Sequence, residues 1–418
     1  MMTKQKTAAI RVSRHQRTDS KNRAQSACGN AAERSSAGSL DMLDIHWGYL
    51  PNQPEVVEKR VAACECGGEV VCNGYYDAKQ IVDINVTVSV VEERAMKGWC
   101  SRCGKFHQGE FSDKYINKVQ YGDGIKSLAL LLSERGFVPI NRTAEIINSL
   151  SGGFFHISDG TIANMQADFA NGLGEAINTI LNGLTGCRVL NADETGCKVD
   201  GKLNWVQVFS DKLYTLYGHN AKRGSLSVED MKILDNFVGT LVHDHFAPYY
   251  KYDLAMHAEC NAHILRYLKG ITEIHGHKWA ADMAELLTAA NNYKKECVVA
   301  GITVADPEKL IEIATQYDTI LTDGRGEYDE ATKGKKQIAY YNEERLLIKR
   351  LGKFKNEHLR FLTDFDVPFD NNGAERDVRM FKGKLKVSGG FPVEGRCKEF
   401  CKDRKRPLYR KKAQAKLI

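Results

Sequence analysis

The sequence predicts an α/β protein, in which an α/β domain with a helical insertion follows a small zinc-binding β module and a helical segment. Three observations support this prediction. Five cysteines crowd into residues 64–103. Apolar residues recur every three or four positions between residues 122 and 184, which is the period of a helix. From residue 187 onward, short apolar runs typical of strands alternate with helical patterns, as in α/β domains.

The composition argues against membrane and exported proteins. The chain has 418 residues, enough for two or three domains, and is 43% hydrophobic and 27% charged. No apolar run approaches the ~20 residues that span a bilayer. The first residues lack the apolar core of a signal peptide. We therefore expect a cytoplasmic protein.

Positive charge is concentrated at the two ends of the chain. The net charge is +6, yet residues 1–34 carry +6 and residues 396–418 carry +8, which leaves about −8 for the middle. Residues 1–60 are rich in Ser, Arg, Lys, Asn and Gln, so we expect a disordered basic arm there and a basic tail over 396–418. Such ends suit a polyanion partner, or they are ordinary solubilising tails, and charge alone leaves both interpretations open.

The cysteine cluster predicts a zinc-finger-like module over residues 61–110. Zn²⁺ takes tetrahedral thiolates from paired short loops, and a glycine after the second cysteine lets the chain turn around the metal. The expected ligands and glycines are Cys64, Cys66, Gly67, Cys100, Cys103 and Gly104. Cys72 is an alternative ligand, since Cys64 and Cys66 are unusually close in sequence. The alternative without metal is a set of reduced thiols in a small β module, in which Ile81–Val90 alternates like a strand.

Residues 111–184 predict a helical segment. Apolar residues such as Ile125, Leu128 and Leu132 share one helical face, and Ser158 is placed to cap a helix that continues through Ala170. Gly152-Gly153 separates the two helical stretches. Short helices around such a break form either a DNA-contacting helix-turn-helix or a purely structural packing unit.

The predicted elements of residues 185–395 follow the order of a ribonuclease H-like α/β domain. They are a buried strand Cys187–Asp193, a hairpin of Asn204–Ser210 and Leu213–His219, a helix Ser227–Phe237, a strand ending at Asp244, and a helix Leu254–Ile271. Residues 276–360 are charged and amphipathic, which predicts a helical insertion. Three strands, a helix and a fourth strand that ends in an acid give this fold its characteristic order.

Three acidic residues stand out by their surroundings. Asp193 and Asp244 each end an apolar run, and Glu375 lies where a turn opens into a helical pattern. Mg²⁺ prefers carboxylate oxygens, and two such ions can activate an attacking oxygen and stabilise a leaving one in phosphoryl transfer. An acid after a strand is usually a turn or cap residue, so the argument depends on the combination of the three.

The residues beside each acid resemble the insertion-sequence-66 family of DDE transposases. The similar blocks are Asn191–Thr195, His243–Tyr249, Cys260–Arg266, Asn371–Arg376 and Ser388–Phe391, in that order along the chain. The resemblance covers roughly residues 61–401 and includes a zinc-finger-like segment at the place of the cysteine cluster.

The resemblance implies a specific activity. It implies a ribonuclease H-like DDE domain in which Asp193, Asp244 and Glu375 are catalytic and bind Mg²⁺ or Mn²⁺, with Zn²⁺ as a structural ion. The implied reaction is cleavage of double-stranded DNA at the ends of an insertion sequence and joining to target DNA. A homo-oligomer, accessory proteins of the same element and a nucleoid-associated location follow as further expectations.

Neighbouring residues allow more than one role. Glu194 follows Asp193 directly, so its side chain is expected on the opposite face of the strand. His243 and His245 either contact phosphate or are buried and hydrogen-bonded. Cys260 and His263 share a helical face, and we prefer packing beneath the active site to metal binding for them. The expected DNA-binding residues are Arg376, Lys382 and Lys384.

The chain departs from the family at both ends. Residues 1–60 lack the helical periodicity of the family's N-terminal region, and a proline interrupts the basic run after Cys401. Truncation or a shifted reading frame would explain these departures. Two alternatives therefore stay open: a catalytically silent zinc-dependent DNA-binding remnant, and a ribonuclease H-like nuclease that cuts without joining.

Overall fold

A computed structural model describes residues 56–59, 64–71, 77–114, 116–335, 339–391 and 394–403. It divides into two units, Met1–Ile84 and Asn85–Ile418. Most of the predicted basic arm, the alternative ligand Cys72 and the end of the basic tail from residue 404 onward lie outside the described residues.

The expected strand over Ile81–Val90 is not formed. No strand is assigned to these residues, and their apolar side chains are exposed in both units, for example Ile81 and Ile84 in the first and Val86 and Val90 in the second. A period-two pattern becomes a strand only when a neighbour supplies its hydrogen bonds. No described residue pairs with this run in either unit.

The second unit begins with a short hairpin and a group of helices. Strand β1 (Lys97–Trp99) pairs antiparallel with β2 (Phe106–Gln108). The helices are α1 (Asp123–Leu130), continued by a π-helical turn (Leu131–Arg135), α2 (Ile140–Leu150), α3 (Asp159–Asn171) and α4 (Gly174–Thr185). Ser158 caps α3 as predicted, since its hydroxyl accepts the N–H of Thr161 at 3.2 Å. Gly152 and Gly153 both take positive φ at the break after α2.

A five-stranded mixed sheet forms the centre of this unit. Its strands are β3 (Val189–Val199), β4 (Lys202–Ser210), β5 (Thr215–Asn220), β6 (Thr240–His243) and β7 (Met256–Glu259). Their order across the sheet is β5-β4-β3-β6-β7. β4 is antiparallel to both β3 and β5, whereas β6 is parallel to β3 and to β7.

Three predicted elements differ from the structure. β3 does not end at Asp193 but continues to Val199, because β4 still pairs with it there. The helix expected over Ser227–Phe237 is only α5 (Ser225–Glu229), and Lys232 takes a positive φ that no helix continues through. The helix expected from Leu254 is preceded by strand β7, whose four residues are too few to show a clear period.

Helices follow β7 to the end of the described chain. They are α6 (Asn261–His275), α7 (Lys278–Val299), α8 (Pro307–Thr332), α9 (Asn342–Lys353), α10 (Lys355–Thr363), α11 (Asn372–Ser388) and α12 (Glu394–Asp403). α6 to α10 share an apolar core around the fully buried Trp279. α12 takes up the first residues of the expected basic tail. Although α7 and α8 are long, no helix in the described part of the chain is apolar enough to span a membrane.

The two faces of the sheet are covered by different helices. Leu190 and Ala192 of β3 pack with residues of α4 on one face. Cys197 and Val199 of the same strand pack with α11 and α12 on the other. Because side chains alternate along a strand, the odd-numbered residues of β3, including Asp193, face α11.

Candidate active site

Asp193 lies where the central strand loses one of its neighbours. β6 pairs with β3 only from Val189 to Asn191, whereas β4 continues beside β3 to Val199. Asp193 is therefore just beyond the carboxyl end of the parallel pair. Crevices outside the carboxyl ends of parallel strands are where open α/β sheets bind ligands.

Asp244 lies at the same edge of the sheet. It directly follows His243, the last residue of β6. Its carboxylate accepts the N–H of Phe246 at 3.1 Å, and a 3-10 turn (Ala247–Lys251) begins just after it. The short polar side chain thus stabilises the turn that ends β6, which is the ordinary role of an Asp in this position.

Asn371 ties the segment that carries Glu375 to the two strands. Its side-chain amide donates to the carbonyl of Ala192 at 2.7 Å, and its N–H donates to the sulfur of Cys260 at 3.2 Å. Cys260 in turn donates its N–H to the carbonyl of His243 at 2.9 Å. Asn371 also accepts the N–H of Glu375 at 3.1 Å, so one chain of hydrogen bonds joins Glu375 to the residues next to Asp193 and Asp244. Asn371 was present in the sequence block, but nothing in its spacing indicated this role.

The three carboxylates influence one another electrostatically. Burial, together with the negative charges of Asp244 and Glu375, raises the pKa of Asp193 to about 7, against the hydrogen bond from Glu194 N–H and the charge of Lys382. Burial also raises the pKa of Asp244. Carboxylates that resist ionisation together favour a bound cation, because its charge offsets both burial and mutual repulsion.

Gly373 lets α11 approach β3 closely. A Cβ at this position would lie 2.7 Å from the side-chain nitrogen of Asn191, which is closer than such atoms come in proteins. The absence of a side chain at residue 373 therefore lets the first turn of α11 pack directly against the side chain of Asn191.

Gly373→Ala is expected to displace the first turn of α11 and to destabilise the protein by roughly 1–3 kcal/mol, as overpacking does. Gly270→Ala in α6 is the matched control, since nothing lies within 4 Å of its added Cβ. Alanine is the better helix former, so this control should gain up to about 1 kcal/mol. Urea unfolding of both variants measures the difference, and equal stability would contradict the close approach.

Glu194 and Arg223 form an ion pair on the opposite face of the sheet from Asp193, as expected for Glu194. Arg223 Nε donates to Glu194 Oε1 at 2.6 Å, and the guanidinium lies over the rings of Trp205 and Phe246 at 4.6 and 5.0 Å. The charge of Arg223 also lowers the pKa of Asp244, although burial raises it more. Arg223 is thus a cation close to the carboxylates that no sequence pattern indicated.

The three expected DNA-binding residues lie on α11 in different settings. Arg376 is exposed and donates to the carbonyl of Asn372 at 3.3 Å. Lys382 is exposed and close enough to lower the pKa of Asp193 by its charge. Lys384 donates to the carbonyl of Ser133 at 3.1 Å.

A groove of about 1050 Å³ runs beside the first turn of α11. Asn191 and Gly373 are among its lining residues, whereas Asp193, Asp244 and Glu375 are not. Its cationic lining residues are Arg135, Arg188, Lys212, Arg376 and Arg379, and its acidic lining residues are Glu134, Asp211, Asp366, Asp370 and Asp377. Arg188 and Lys212 are paired with Asp366, so part of this charge is already neutralised.

His243 and His245 belong to a buried polar network. His243 is fully buried, and its Nε2 lies 3.1 Å from Nδ1 of His257. His245 Nε2 lies 3.3 Å from the carboxylate of Glu259. His243 thus matches the buried, hydrogen-bonded alternative, whereas Nε2 of the half-buried His245 makes no hydrogen bond among the described residues.

Glu259 is the centre of this network. Its carboxylate contacts Arg350 of α9, His358 of α10 at 2.8 Å and the hydroxyl of Tyr250. Helices α9 and α10 therefore contact the end of β7 through one buried charge.

The cysteine loops adopt turns that suit a metal. In the first unit, Gly67 takes a φ of 82° and donates its N–H to the carbonyl of Cys64, whose sulfur is 3.1 Å from that of Cys66. In the second unit, Cys100 and Cys103 lie in the turn between β1 and β2, and Gly104, with a φ of 66°, donates to the carbonyl of Cys100. The four-thiolate zinc site remains a prediction.

The comparison with protein families agrees with the resemblance seen in the sequence blocks around Asp193, Asp244 and Glu375. Residues 118–396, two thirds of the chain, match the Transposase IS66 family. The chain belongs to this family. The matched range contains Asp193, Asp244, Glu375 and the whole five-stranded sheet. Among curated proteins, none matches the chain closely enough to count as a relative.

Proposed function

We propose that this chain catalyses metal-dependent cleavage at the ends of an insertion sequence and joins the resulting 3′-hydroxyl to target DNA. The main support is the convergence of Asp193, Asp244 and Glu375, from two strands and a helix, on one edge of the sheet. The strand order agrees with a ribonuclease H-like fold: the first strand, β3, is central, the second is antiparallel, and the fourth and fifth continue on its other side.

The donor set fits Mg²⁺ or Mn²⁺. Asp193, Asp244 and Glu375 offer carboxylate oxygens, and a bound cation would stabilise the charged form of Asp193, whose pKa is raised by burial and by the other two acids. A bound ion would polarise the scissile phosphate and activate the attacking oxygen. Lys382 adds positive charge near Asp193, which would help to hold a phosphate.

The groove supports double-stranded DNA as the substrate. Arg376 and Arg379 face it from α11, and it leads to Asn191, two residues before Asp193. Cations along a groove attract the phosphate backbone without reading its sequence. We further propose a structural Zn²⁺ on the four cysteines, a homo-oligomer on paired DNA ends, and help from accessory proteins of the same element.

Divalent cations are expected to raise the thermal stability of the free protein. A ligand at 100 times its Kd stabilises the folded state by about 2.7 kcal/mol. Mn²⁺ titration followed by calorimetry should therefore raise Tm in the wild type and in Asp200→Asn, which changes an exposed acid at the far end of β3. Asp193→Asn should lose most of the shift. Equal shifts in Asp193→Asn and the wild type would exclude Asp193 as a ligand.

Strand transfer on DNA tests the proposed reaction. The substrate carries the inverted repeats that flank the gene for this chain, with Mg²⁺ and a supercoiled target. Joined products would support transposition. Binding of the ends without cleavage would favour a silent remnant, and cleaved products without a new phosphodiester linkage would favour a nuclease.

A further inference from the structure

Three different types of metal ligand meet beside the carboxylates. The sulfur of Cys260, a ring nitrogen of His263 and a carboxylate oxygen of Glu375 all lie within 4.8 Å of one another. Cys260 and His263 stand at the start of α6, and Glu375 is on the first turn of α11. Neither helix supplies three ligands by itself, so the set exists only because the two helix starts pack together.

One ring nitrogen of His263 has no hydrogen-bond partner among the described residues. Nδ1 of His263 is shielded from solvent and makes no hydrogen bond there. A buried polar atom of this kind is costly unless a ligand satisfies it. The Cys260 side chain is fully buried, and its sulfur accepts the N–H of Asn371 at 3.2 Å, which fixes its position at the start of α6.

The chemistry of this set differs from that of the three carboxylates. Mg²⁺ binds oxygen ligands, whereas thiolate and imidazole select Zn²⁺ and similar ions. One sulfur, one nitrogen and one carboxylate oxygen leave a fourth tetrahedral position open for water. A set with these donors is therefore a poor site for Mg²⁺ and a suitable one for Zn²⁺.

We propose that Cys260, His263 and Glu375 form a site for a thiophilic divalent cation such as Zn²⁺, which shares Glu375 with the three-carboxylate site. Occupation holds the Glu375 carboxylate toward α6 and withdraws it from Asp193 and Asp244. Zinc then inhibits the Mg²⁺-dependent reaction. The inhibition rests on the proposed transposase activity, whereas the binding does not.

Zinc stoichiometry tests the binding. The full chain is dialysed against a buffer of fixed free Zn²⁺, and metal per chain is counted by atomic spectroscopy for the wild type, Cys260→Ser and His263→Gln. Cys187→Ser is the control, because Cys187 is half-buried and hydrogen-bonded to backbone carbonyls. Zinc held by other cysteines is common to all four proteins and cancels.

We expect one zinc fewer per chain in Cys260→Ser and His263→Gln and no change in Cys187→Ser. Equal zinc in all four proteins would overturn the site. Circular dichroism checks folding, and His263→Gln decides the result if Cys260→Ser does not fold.

Inhibition tests the sharing of Glu375. Each protein's DNA cleavage is normalised to its own rate without zinc, and Cys260→Ser should need at least about tenfold more Zn²⁺ for half-inhibition. If the zinc counts are as expected but the wild type and Cys260→Ser are inhibited equally by Zn²⁺, the sharing of Glu375 would be wrong, whereas the zinc site itself would stand. A wild type that cleaves no DNA would count against the proposed function, and the zinc count would still decide the site.

Discussion

Asp244→Ala is expected to abolish DNA cleavage and strand transfer while the protein stays folded. Metal stabilisation of a transition state amounts to several kcal/mol, so the loss should be about 10³-fold or more. Asp244 is only partly buried, and burial already raises its pKa, so removing its charge should cost little stability.

Two further variants separate chemistry from structure. Asp244→Asn keeps a side-chain oxygen for the Phe246 N–H and should be as inactive as Asp244→Ala. Asp200→Asn, the exposed acid between β3 and β4, should retain activity. Strand-transfer yield with Mg²⁺ and thermal melting of each variant provide the measurement. Retained transfer in Asp244→Ala would remove the catalytic assignment.

Glu259→Gln is expected to cause the largest loss of stability. Glu259 is 1% exposed and contacts the half-buried guanidinium of Arg350 and the fully buried ring of His358, so the variant leaves both without their charged partner. Breaking a buried pair in this way costs about 3–5 kcal/mol. Glu229→Gln is the control, since its partner Lys251 lies at the surface and such pairs contribute less than about 1 kcal/mol. Urea unfolding at neutral pH measures both.

The same residue predicts how stability depends on acid. Burial alone would raise the pKa of Glu259, but the hydrogen bond and charge of His358 and the charge of His245 outweigh it and hold the pKa at about 2, below the ordinary 4.5. A depressed pKa in the folded state contributes stability that is present above pH 4.5 and is lost as the pH falls toward 2. Between these values the unfolding free energy of Glu259→Gln should fall less steeply than that of the wild type. Parallel curves would contradict this account.

Sequence periodicity located the long elements and missed the short ones. The helix cap at Ser158 and the strand before Asp193 could be predicted from the sequence because each depends on a few adjacent residues. Strand β7 has only four residues. Its pairing with β6 depends on tertiary packing and cannot be predicted from its own sequence pattern. The expected strand over Ile81–Val90 failed for the converse reason, since its pattern was clear and a partner was absent among the described residues.

The sequence by itself identified the family and predicted the three acids as metal ligands, because the blocks around Asp193, Asp244 and Glu375 are contiguous and chemically distinctive. Tertiary structure decided the rest of the site. Arg223, Glu259 and Asn371 lie far apart in the chain, and their hydrogen bonds form only when the strands and helices pack. The packing of α6 against α11 likewise brings Glu375 close to Cys260 and His263. The spacing of residues along the chain predicts which side chains share one face of a helix or strand. The packing of the fold decides which helices and strands contact one another. A metal site made from the starts of two helices depends on this packing.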